Sequence, residues 1–462
     1  MRKFLIESYG CQMNVHDAER LAGLLERSGY EATSSPAEAD LVVVNTCSVR
    51  DKAEDKLFHR LDELRHSRKR SGVVAVTGCV AQQEGERLAA RARDVGVIVG
   101  TQAMRQLPAL AAAAFERPGL VRVDVNPYED VSFPLGVVRR GDPVKAYVTI
   151  IEGCNDFCAF CVVPYTRGHE RMRPVAEVMA EVRQVAEAGH REVQLLGQIV
   201  NHYQAPDDPA CDFAELLRRV NDVPGIERIR FASPHPRHVT DRLIETMAEL
   251  PALTRHLHLP VQSGSTRVLA AMRRRHTREQ YLDLVDRLRT RIPDLCLSTD
   301  LIVGFPGESE ADFEDTLSLI EQVRFNGVFS FKYSVRPNTL ASKRLADDVP
   351  EPEKTRRIVD LQARQRAIQL ELHGALMGRE VEVLVDGWSR RGDELTGRTS
   401  GNTVVNLAGP AEWIGRLVRV RIGRVGPHSV SGVAVRVEGI DSGQVAERAG
   451  KLTASGEQSH AD

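Results

Sequence analysis

The sequence lacks the features that mark membrane, secreted and strongly charged proteins. Among its 462 residues, no apolar run approaches the roughly 18 that a membrane-spanning helix needs, so we expect a soluble chain without membrane contact. Eight cysteines are too sparse for a disulfide framework and no signal peptide precedes them, so we expect reduced thiols in the cytoplasm. Lys and Arg total 62 against 64 for Asp and Glu, so any nucleic-acid binding must come from local patches.

Three of the few cysteines stand in a pattern that favours an iron–sulfur cluster. Cys154, Cys158 and Cys161 lie in the run CNDFCAFC, whose CxxxCxxC spacing offers a cubane cluster three thiolates and no local fourth. One iron would remain open for a substrate or cofactor, which indicates catalysis more than electron transfer. Zinc prefers paired CxxC knuckles and no second knuckle follows, but a zinc site, a disulfide pair and buried structural thiols are the alternatives.

Residues 1–118 alternate apolar runs with amphipathic stretches, which predicts an α/β, doubly wound domain around a parallel sheet. The predicted strands are 3–9, 41–45, 73–77 and 95–100, and the predicted helices are 16–28, 52–66, 82–93 and 102–115, with a possible kink at Pro108. Cys11, Cys47 and Cys79 follow the first three strands, where the carboxyl ends of a parallel sheet converge. Cysteine is also common in buried strands, but three thiols without a fourth again indicate a cluster with an open iron.

A linker with several prolines is predicted at 119–143, and a second α/β domain at 144–375. Its predicted strands are 146–152, 192–197, 228–232, 256–261, 295–303 and 327–334. Six βα units make an open partial barrel, and the CNDFCAFC run follows the first strand, at the end of a barrel where catalytic groups gather. Polar residues and glycines at the strand ends are candidate cofactor contacts, although each alone is compatible with a turn. These candidates are Gly197, Gln198, Ser233, Gln262, Thr299, Asp300 and Glu308.

Two basic regions are candidate RNA contacts. Arg167, Arg171 and Arg173 lie in the loop PYTRGHERMRP beside the predicted cluster, where guanidinium groups would grip a tRNA backbone, although a solvated loop is the ordinary interpretation. After a charged helix at 353–376, residues 376–440 predict a small antiparallel barrel with strands 381–385, 395–399, 403–407, 417–422 and 430–437. Its candidate contacts are Arg416, Arg419 and Arg421, with Trp388 and Trp413 to stack on bases. Residues 441–462 are polar and aromatic-free, which predicts a disordered tail.

These motifs resemble the radical S-adenosylmethionine (SAM) superfamily and, over most of the chain, its MiaB-type tRNA methylthiotransferase family. The runs that carry the resemblance stand in family order: YGCQMN, NTCSVRDKAEDK, TGCVAQ, CNDFCAFCVVPYTRG, LLGQ, SPHP, HLPVQSGS and TDLIVGFPGE. The resemblance implies a methylthiotransferase domain, a radical SAM barrel and a C-terminal RNA-binding TRAM domain. It also implies two [4Fe-4S] clusters, one on each cysteine triad, with SAM on the open iron of the Cys154, Cys158 and Cys161 cluster. Phe160 matches the family's aromatic before the last cysteine, and no catalytic residue is assigned beyond the ligands.

The resemblance further implies the reaction. A hydrogen on carbon 2 of N(6)-isopentenyladenosine, at position 37 of the tRNA anticodon loop, is replaced by a methylthio group, through sulfur insertion and then methyl transfer from a second SAM. That carbon is unactivated, so the cofactor must carry the hard step while the protein supplies placement. The implied partners are isopentenylated tRNA, an electron donor such as a flavodoxin or ferredoxin, and a sulfur source, with the protein acting as a monomer.

Relatives of this family define the alternative functions. They methylthiolate threonylcarbamoyladenosine in tRNA or an aspartate of a ribosomal protein, and they tend toward GCKVN or GCPKN where this chain has GCQMN. A non-catalytic iron–sulfur RNA-binding protein is the alternative of a different class. The run GQIVNHY departs from the family, which more often has asparagine at the place of Ile199 and serine at that of His202, so the roles of these two positions stay open.

Overall fold

The computed structural model describes residues 1–48, 52–125, 137–390 and 392–441. The predicted tail lies outside the described residues except for Asp441, and so does part of the predicted linker, residues 126–136. Within these described ranges, no helix is long and apolar enough to cross a bilayer. The chain folds into three consecutive units.

The first unit is a six-stranded parallel sheet with an apolar core on each face. Its elements are β1 (Arg2–Tyr9), α1 (Gln12–Arg27), β2 (Tyr30–Ala32), β3 (Leu41–Thr46), α2 (Lys52–Ser67), β4 (Val73–Gly78), α3 (Cys79–Glu84), α4 (Glu86–Arg91), β5 (Val97–Val99), α5 (Leu107–Glu116) and β6 (Arg122–Asp124). The order is β2-β1-β3-β4-β5-β6, and β3 is buried along its whole length, as a central strand covered on both faces must be. The doubly wound fold is confirmed, and its strand order reverses between β1 and β3, where such sheets bind ligands.

Two edge strands of the sheet were not predicted, and two helices differ from their prediction. The strands β2 and β6 flank the sheet, and β6 falls inside the predicted linker, so the first unit continues at least to Asp124. The predicted helix at 82–93 is divided into α3 and α4 at Gly85, which has a φ of +45°. Pro108 kinks no helix because it occupies the first turn of α5, where its missing N–H would have no partner in any case.

The second unit is an open barrel of six parallel strands in two sheets, ordered β11-β10-β7 and β12-β13-β14. Its elements are β7 (Lys145–Thr149), β8 (Ile151–Glu152), α6 (Val163–Thr166), β9 (Arg171–Met172), α7 (Val175–Glu187), β10 (Glu192–Leu196), α8 (Phe213–Asn221), β11 (Arg228–Phe231), α9 (Asp241–Glu249), β12 (His256–His258), α10 (Thr266–Ala271), α11 (Arg278–Arg291), β13 (Cys296–Val303), α12 (Glu310–Val323), β14 (Gly327–Lys332), α13 (Leu340–Arg344) and α14 (Glu351–Gly374). A parallel bridge between Ile229 and Leu253 continues one sheet into the other. The first predicted strand, 146–152, is broken, and its second part pairs with β9 in an antiparallel ribbon.

The third unit is a closed five-stranded barrel, ordered β15-β16-β17-β19-β18. Its strands are β15 (Glu380–Trp388), β16 (Leu395–Thr399), β17 (Val404–Leu407), β18 (Leu417–Val425) and β19 (Val430–Val437). The pair β17 and β19 is parallel, so the prediction of a wholly antiparallel barrel is wrong in this one pairing. The turn after β16 docks against the central barrel, since Arg230 Nη2 donates to Thr399 O at 2.9 Å and Arg255 N to Ser400 Oγ at 2.8 Å.

Candidate iron–sulfur and cofactor site

Three cysteines meet at the strand-order reversal of the first sheet, and we call Cys11, Cys47 and Cys79 the first thiol site. Cys11 follows β1 and caps α1, Cys47 follows β3, and Cys79 opens α3 directly after β4. The backbone N–H of Cys47 donates to Tyr9 O at 3.0 Å, which holds two strand ends together. Gly10 permits this close approach, because a Cβ atom there would lie 2.7 Å from Cys47 Cβ.

The electrostatics of the first thiol site favour a thiolate at Cys11. Its hydrogen bond with Cys47, the charge of Arg167 and the N–H groups at the start of α1 lower the pKa of the Cys11 thiol to about 6, against the opposing effect of burial. Burial raises the pKa of the Cys79 thiol, and the Arg167 guanidinium opposes that rise. One arginine from the central barrel therefore faces two thiols of the first sheet.

We call Cys154, Cys158 and Cys161 the second thiol site, which lies on the loop after β8 at the carboxyl end of the barrel strands. The N–H groups of Asp156 and Val163 donate to Cys154 Sγ at 3.5 Å and to Cys161 Sγ at 3.4 Å. Burial raises the pKa of Cys154 to about 11 and that of Cys161 to about 12. Both are neutral thiols until a metal displaces their protons, so metal binding here would release protons.

The donors at both sites fit an iron–sulfur cluster. Each site offers three sulfur atoms, the ligands that such clusters take, with N–H groups directed at them. Among the described residues, no three His, Cys, Asp or Glu side chains are grouped to hold a single metal ion. A cubane takes each thiolate on a different iron, so its ligands need not converge on one point.

A buried polar cluster around the second thiol site was missed in the sequence. Arg274, in the basic run at 273–275, is buried and donates to Cys158 Sγ at 3.6 Å. The Asp156 carboxylate lies 3.0 Å from Arg237 Nη2 and 3.6 Å from His235 Nε2. The position of Asp156 inside the cysteine motif was the sequence signal for this cluster, because its other members come from loops distant in sequence, after β11 and between α10 and α11.

Several of the predicted cofactor contacts are accessible to a ligand, although Asp300 Oδ1 already lies 3.4 Å from His258 Nε2. The side chains of Phe160, Gln198, Ser233 and Asp300 are partly exposed, while Gly197 and Gln262 are buried. Ser233 and Gln262 have φ angles of +60° and +81°, so the chain turns sharply after two barrel strands. The backbone of Gln262 pairs with β13, since its N–H donates to Asp300 O at 2.9 Å.

Two other predicted contacts have protein partners. The Thr299 hydroxyl donates to Leu259 O at 2.8 Å and accepts from Val261 N at 3.0 Å. Its prediction as a cofactor contact is therefore corrected, because both hydrogen bonds hold the segment after β12 to β13. Glu308 Oε2 accepts from Arg357 Nη1 at 2.8 Å, while its buried Oε1 has no hydrogen-bond partner among the described residues and stays available to a ligand.

The two positions that depart from the family have local packing roles. Ile199 is buried just before the turn at 200–202. His202 Nδ1 lies 2.9 Å from Glu170 Oε1, and its ring is 4.3 Å from that of His238. Both side chains help to pack the loop that carries Gln198.

Comparison with known proteins matches every unit of the fold. Residues 3–100 match the Uncharacterized protein family UPF0004, residues 148–320 the Radical SAM superfamily, and residues 375–435 the TRAM domain. A tRNA-2-methylthio-N(6)-dimethylallyladenosine synthase from Thiobacillus denitrificans is 46% identical over 444 residues, which cover 95% of this chain and 99% of the relative. A relative of the same name from Solibacter usitatus is 44% identical over 438 residues, covering 93% and 97%. The chain belongs to the tRNA-2-methylthio-N(6)-dimethylallyladenosine synthase family.

Membership confirms the resemblance drawn from the motifs, and it makes the chain a radical SAM enzyme whose cofactors are SAM and iron–sulfur clusters. A solved structure supports the fold separately. It is the radical S-adenosylmethionine methyltransferase TsrM from Kitasatospora setae, with cobalamin and a [4Fe-4S] cluster bound. The TM-score is 0.53 at 16% identity, over 74% of this chain and 77% of that one. At this identity the likeness concerns the fold alone.

The basic loop beside the second thiol site is mostly turned inward. Arg167 and Arg173 are buried, Arg167 Nη2 lies 2.6 Å from Asp17 Oδ2, and Arg173 is paired with Glu181. The prediction that these two arginines grip RNA is therefore wrong, because neither guanidinium reaches the surface. Arg171 is partly exposed and remains a candidate.

The candidate RNA contacts of the C-terminal barrel are also partly exposed and partly buried. Arg419 and Arg421 are exposed at alternate positions of β18, and Arg416 is partly buried with Nη1 donating to Glu438 O at 2.9 Å. Trp388 is 49% exposed, whereas Trp413 is fully buried in the barrel core. Trp413 therefore cannot stack on a base, which corrects that part of the prediction.

Proposed function

We propose that the protein replaces the hydrogen on carbon 2 of N(6)-isopentenyladenosine, at position 37 of the tRNA anticodon loop, with a methylthio group. The observation that carries the proposal is the placement of two three-thiol sites at the strand ends of two parallel sheets, joined by one short segment. The name shared by the relatives supports the substrate, and the match to the TRAM domain supports RNA as the partner.

The segment that joins the two thiol sites is residues 162–168. Gly168 O accepts from the backbone N–H of Cys154 at 3.1 Å, while Arg167 O accepts from Gln102 Nε2 of the first unit at 2.9 Å. Arg167 lies six positions after Cys161, a span of at most about 22 Å even if fully extended. This closeness supports a reaction that uses both sites on one substrate.

We infer that the two thiol sites have different roles. The second thiol site would hold the cluster that binds SAM, and the first thiol site a cluster at which sulfur is attached. When bound, cluster and SAM supply the radical chemistry that removes the carbon-bound hydrogen. The chain supplies orientation and the exclusion of water, and the proposed contacts with cofactor or base are Phe160, Gly197, Gln198, Ser233, Gln262, Asp300 and Glu308.

We infer the remaining attributes in the same way. The proposed domains are a methylthiotransferase domain to residue 124, a radical SAM core at 144–375 and a TRAM domain at 376–440, supported by the matched ranges and by β6. The enzyme is proposed to act in the cytoplasm as a monomer. It needs a flavodoxin or ferredoxin as electron donor and a separate sulfur source.

The deciding experiment is nucleoside mass spectrometry on tRNA incubated anaerobically with cluster-reconstituted protein, SAM and a strong reductant. We expect a methylthio product on isopentenylated tRNA and none on a matching unmodified tRNA. SAM cleavage without product would indicate that the substrate is threonylcarbamoyladenosine or a ribosomal-protein aspartate. No cleavage with clusters present would favour the non-catalytic alternative.

Cysteine variants test the two ligand assignments separately. Cys158→Ala should abolish SAM cleavage, whereas Cys11→Ala should keep cleavage and lose the methylthio product. Cys296→Ala is the matched control, because this partly exposed cysteine belongs to neither thiol site. Cleavage by Cys158→Ala or methylthio product from Cys11→Ala would each overturn the corresponding assignment.

A further inference from the structure

Arg167 crosses from the central barrel into the first thiol site, and no role assigned above uses it. Its side chain is 5% exposed, and the carboxylate of its partner Asp17 is completely buried. Asp17 lies on α1, six residues after Cys11. Burying an ion pair costs desolvation that the attraction often does not repay, so stability alone is a weak reason for this pair.

The guanidinium of Arg167 donates to the Asp17 carboxylate at 2.6 Å. Its charge also lowers the pKa of the Cys79 and Cys11 thiols, against the effect of burial. Asp17 Oδ1 has no hydrogen-bond partner among the described residues, so the carboxylate is left incompletely satisfied. The pair thus places a buried positive charge beside α1, the helix that Cys11 caps.

The backbone around Arg167 is clamped from both units. Gln102 Nε2 donates to Arg167 O at 2.9 Å, and the Thr101 hydroxyl donates to the carbonyl of Thr166. On the other side, Gly168 O accepts the N–H of Cys154. Arg167 therefore cannot shift without moving either the first sheet or the loop that carries the second thiol site.

We propose that Arg167 is a positioning residue of the first thiol site: it sets the charge around the cluster held by Cys11, Cys47 and Cys79, and it fixes that cluster relative to the second thiol site. The inference rests on the proposed function, because it takes these cysteines as ligands. A guanidinium beside a cluster stabilises the reduced form, which carries one more negative charge, and a carboxylate destabilises it. Arg167 and Asp17 therefore shift the reduction potential in opposite directions.

The test uses the full chain with all three cysteines of the second thiol site replaced by alanine, so that a reconstituted cluster is confined to the first. A redox titration followed by electron paramagnetic resonance gives its potential. Arg167→Gln should lower the equilibrium constant for reduction of the cluster at least tenfold. This change lowers the one-electron reduction potential by at least about 59 mV. Asp17→Asn should raise the potential, and Arg167→Lys should stay close to the parent protein.

Arg20→Gln is the matched control, because Arg20 forms another buried ion pair across the same interface, with Nη1 at 2.8 Å from Glu152 Oε1. It should leave the potential unchanged. Three results would overturn the inference. They are potential shifts of equal size in Arg167→Gln and Arg20→Gln, potential shifts of the same sign in Arg167→Gln and Asp17→Asn, and no shift of the potential in any variant. A parent protein that binds no cluster would overturn the ligand assignment itself, and this inference with it.

The second readout uses the chain with both thiol sites intact. Arg167→Gln should still cleave SAM while methylthio product falls at least tenfold. A loss of both activities in equal measure would show a general structural role and contradict the inference.

Discussion

Sulfur atoms of the second thiol site have hydrogen-bond donors from inside and outside their motif. Asp156 N–H faces Cys154, and the guanidinium of Arg274 faces Cys158 from a loop more than a hundred residues away in sequence. Such donors stabilise the negative charge that a sulfur ligand of a cluster carries. Distant residues therefore decide how well a local motif holds its cluster.

Arg274→Met is expected to slow SAM cleavage at least tenfold. The variant leaves Cys158 without this donor and Pro260 O without its 2.8 Å hydrogen bond, and a bond to a charged group contributes about 1.5–3 kcal/mol. The measurement is the rate of 5'-deoxyadenosine formation together with iron content per chain. Arg273→Met, at an exposed neighbour, should match the parent protein, and equal rates in both variants would contradict the assignment.

Glu19 gives the enzyme's stability a pH dependence of known sign. Burial raises the pKa of the Glu19 carboxyl from 4.5 to about 7. Between these values the folded chain holds a proton that the unfolded chain has lost, so this contribution to stability falls as pH rises through that window. Glu19→Gln should therefore lose less thermal stability than the parent between about pH 5 and about pH 8. Glu31→Gln, at an exposed position of β2, should follow the parent, and identical curves for all three would sink the prediction.

At the scale of elements, the helices of the central barrel pack directly on backbone. Gly264, in the loop between β12 and α10, donates its N–H to Thr316 Oγ1 of α12 at 2.9 Å. A Cβ atom on Gly264 would lie 2.4 Å from Thr316 Cα. The contact therefore needs a glycine for space, and it positions the loop that carries Gln262.

Gly264→Ala should lower the free energy of unfolding by about 1–3 kcal/mol, because a backbone atom of α12 must move. Urea unfolding followed by circular dichroism measures this change. Gly374→Ala, at the end of α14 with nothing within 4 Å of the added atom, should be neutral or stabilising by up to about 1 kcal/mol. Equal midpoints for the two variants would refute the packing argument.

At the scale of the whole molecule, the third unit docks with one end and leaves another surface free. Arg230 of the central barrel holds the turn after β16, while Arg419 and Arg421 on β18 stay exposed. Arg421 also lies 2.8 Å from Glu380, an exposed pair that phosphate can displace at little cost. The exposed arginines of β18 therefore remain the proposed RNA contacts of the barrel.

Arg419→Gln and Arg421→Gln should each weaken tRNA binding and reduce the slope of log affinity against log salt by about 1, because each arginine neutralises one phosphate. Filter binding over a salt series measures both quantities. Arg287→Gln on α11, at an exposed arginine 2.6 Å from Asp241, should leave the slope unchanged. If the slope of log affinity against log salt is unchanged in the β18 variants, tRNA binds to another surface.

Local pattern predicted most of the architecture because strand and helix periods repeat over several residues. The six barrel strands and the strands β1, β3, β4 and β5 of the first sheet all follow from such runs. The edge strands β2 (YEA) and β6 (RVD) escaped because neither segment contains an apolar run, unlike the equally short but buried β5 (VIV). The parallel pairing of β17 with β19 also escaped, since it depends on barrel closure and not on either strand's own residues.

The sequence by itself determined the order of the units, the two cysteine triads and the family, because each depends on residues close together in the chain or on strand ends that topology must gather. Only the tertiary structure decided that Arg167 and Arg173 point inward, that Trp413 is core and that Thr299 holds strands together. The physical reason is that burial and partners depend on which surfaces of distant elements meet. A charge or ring has the same sequence signature whether it faces water or another domain.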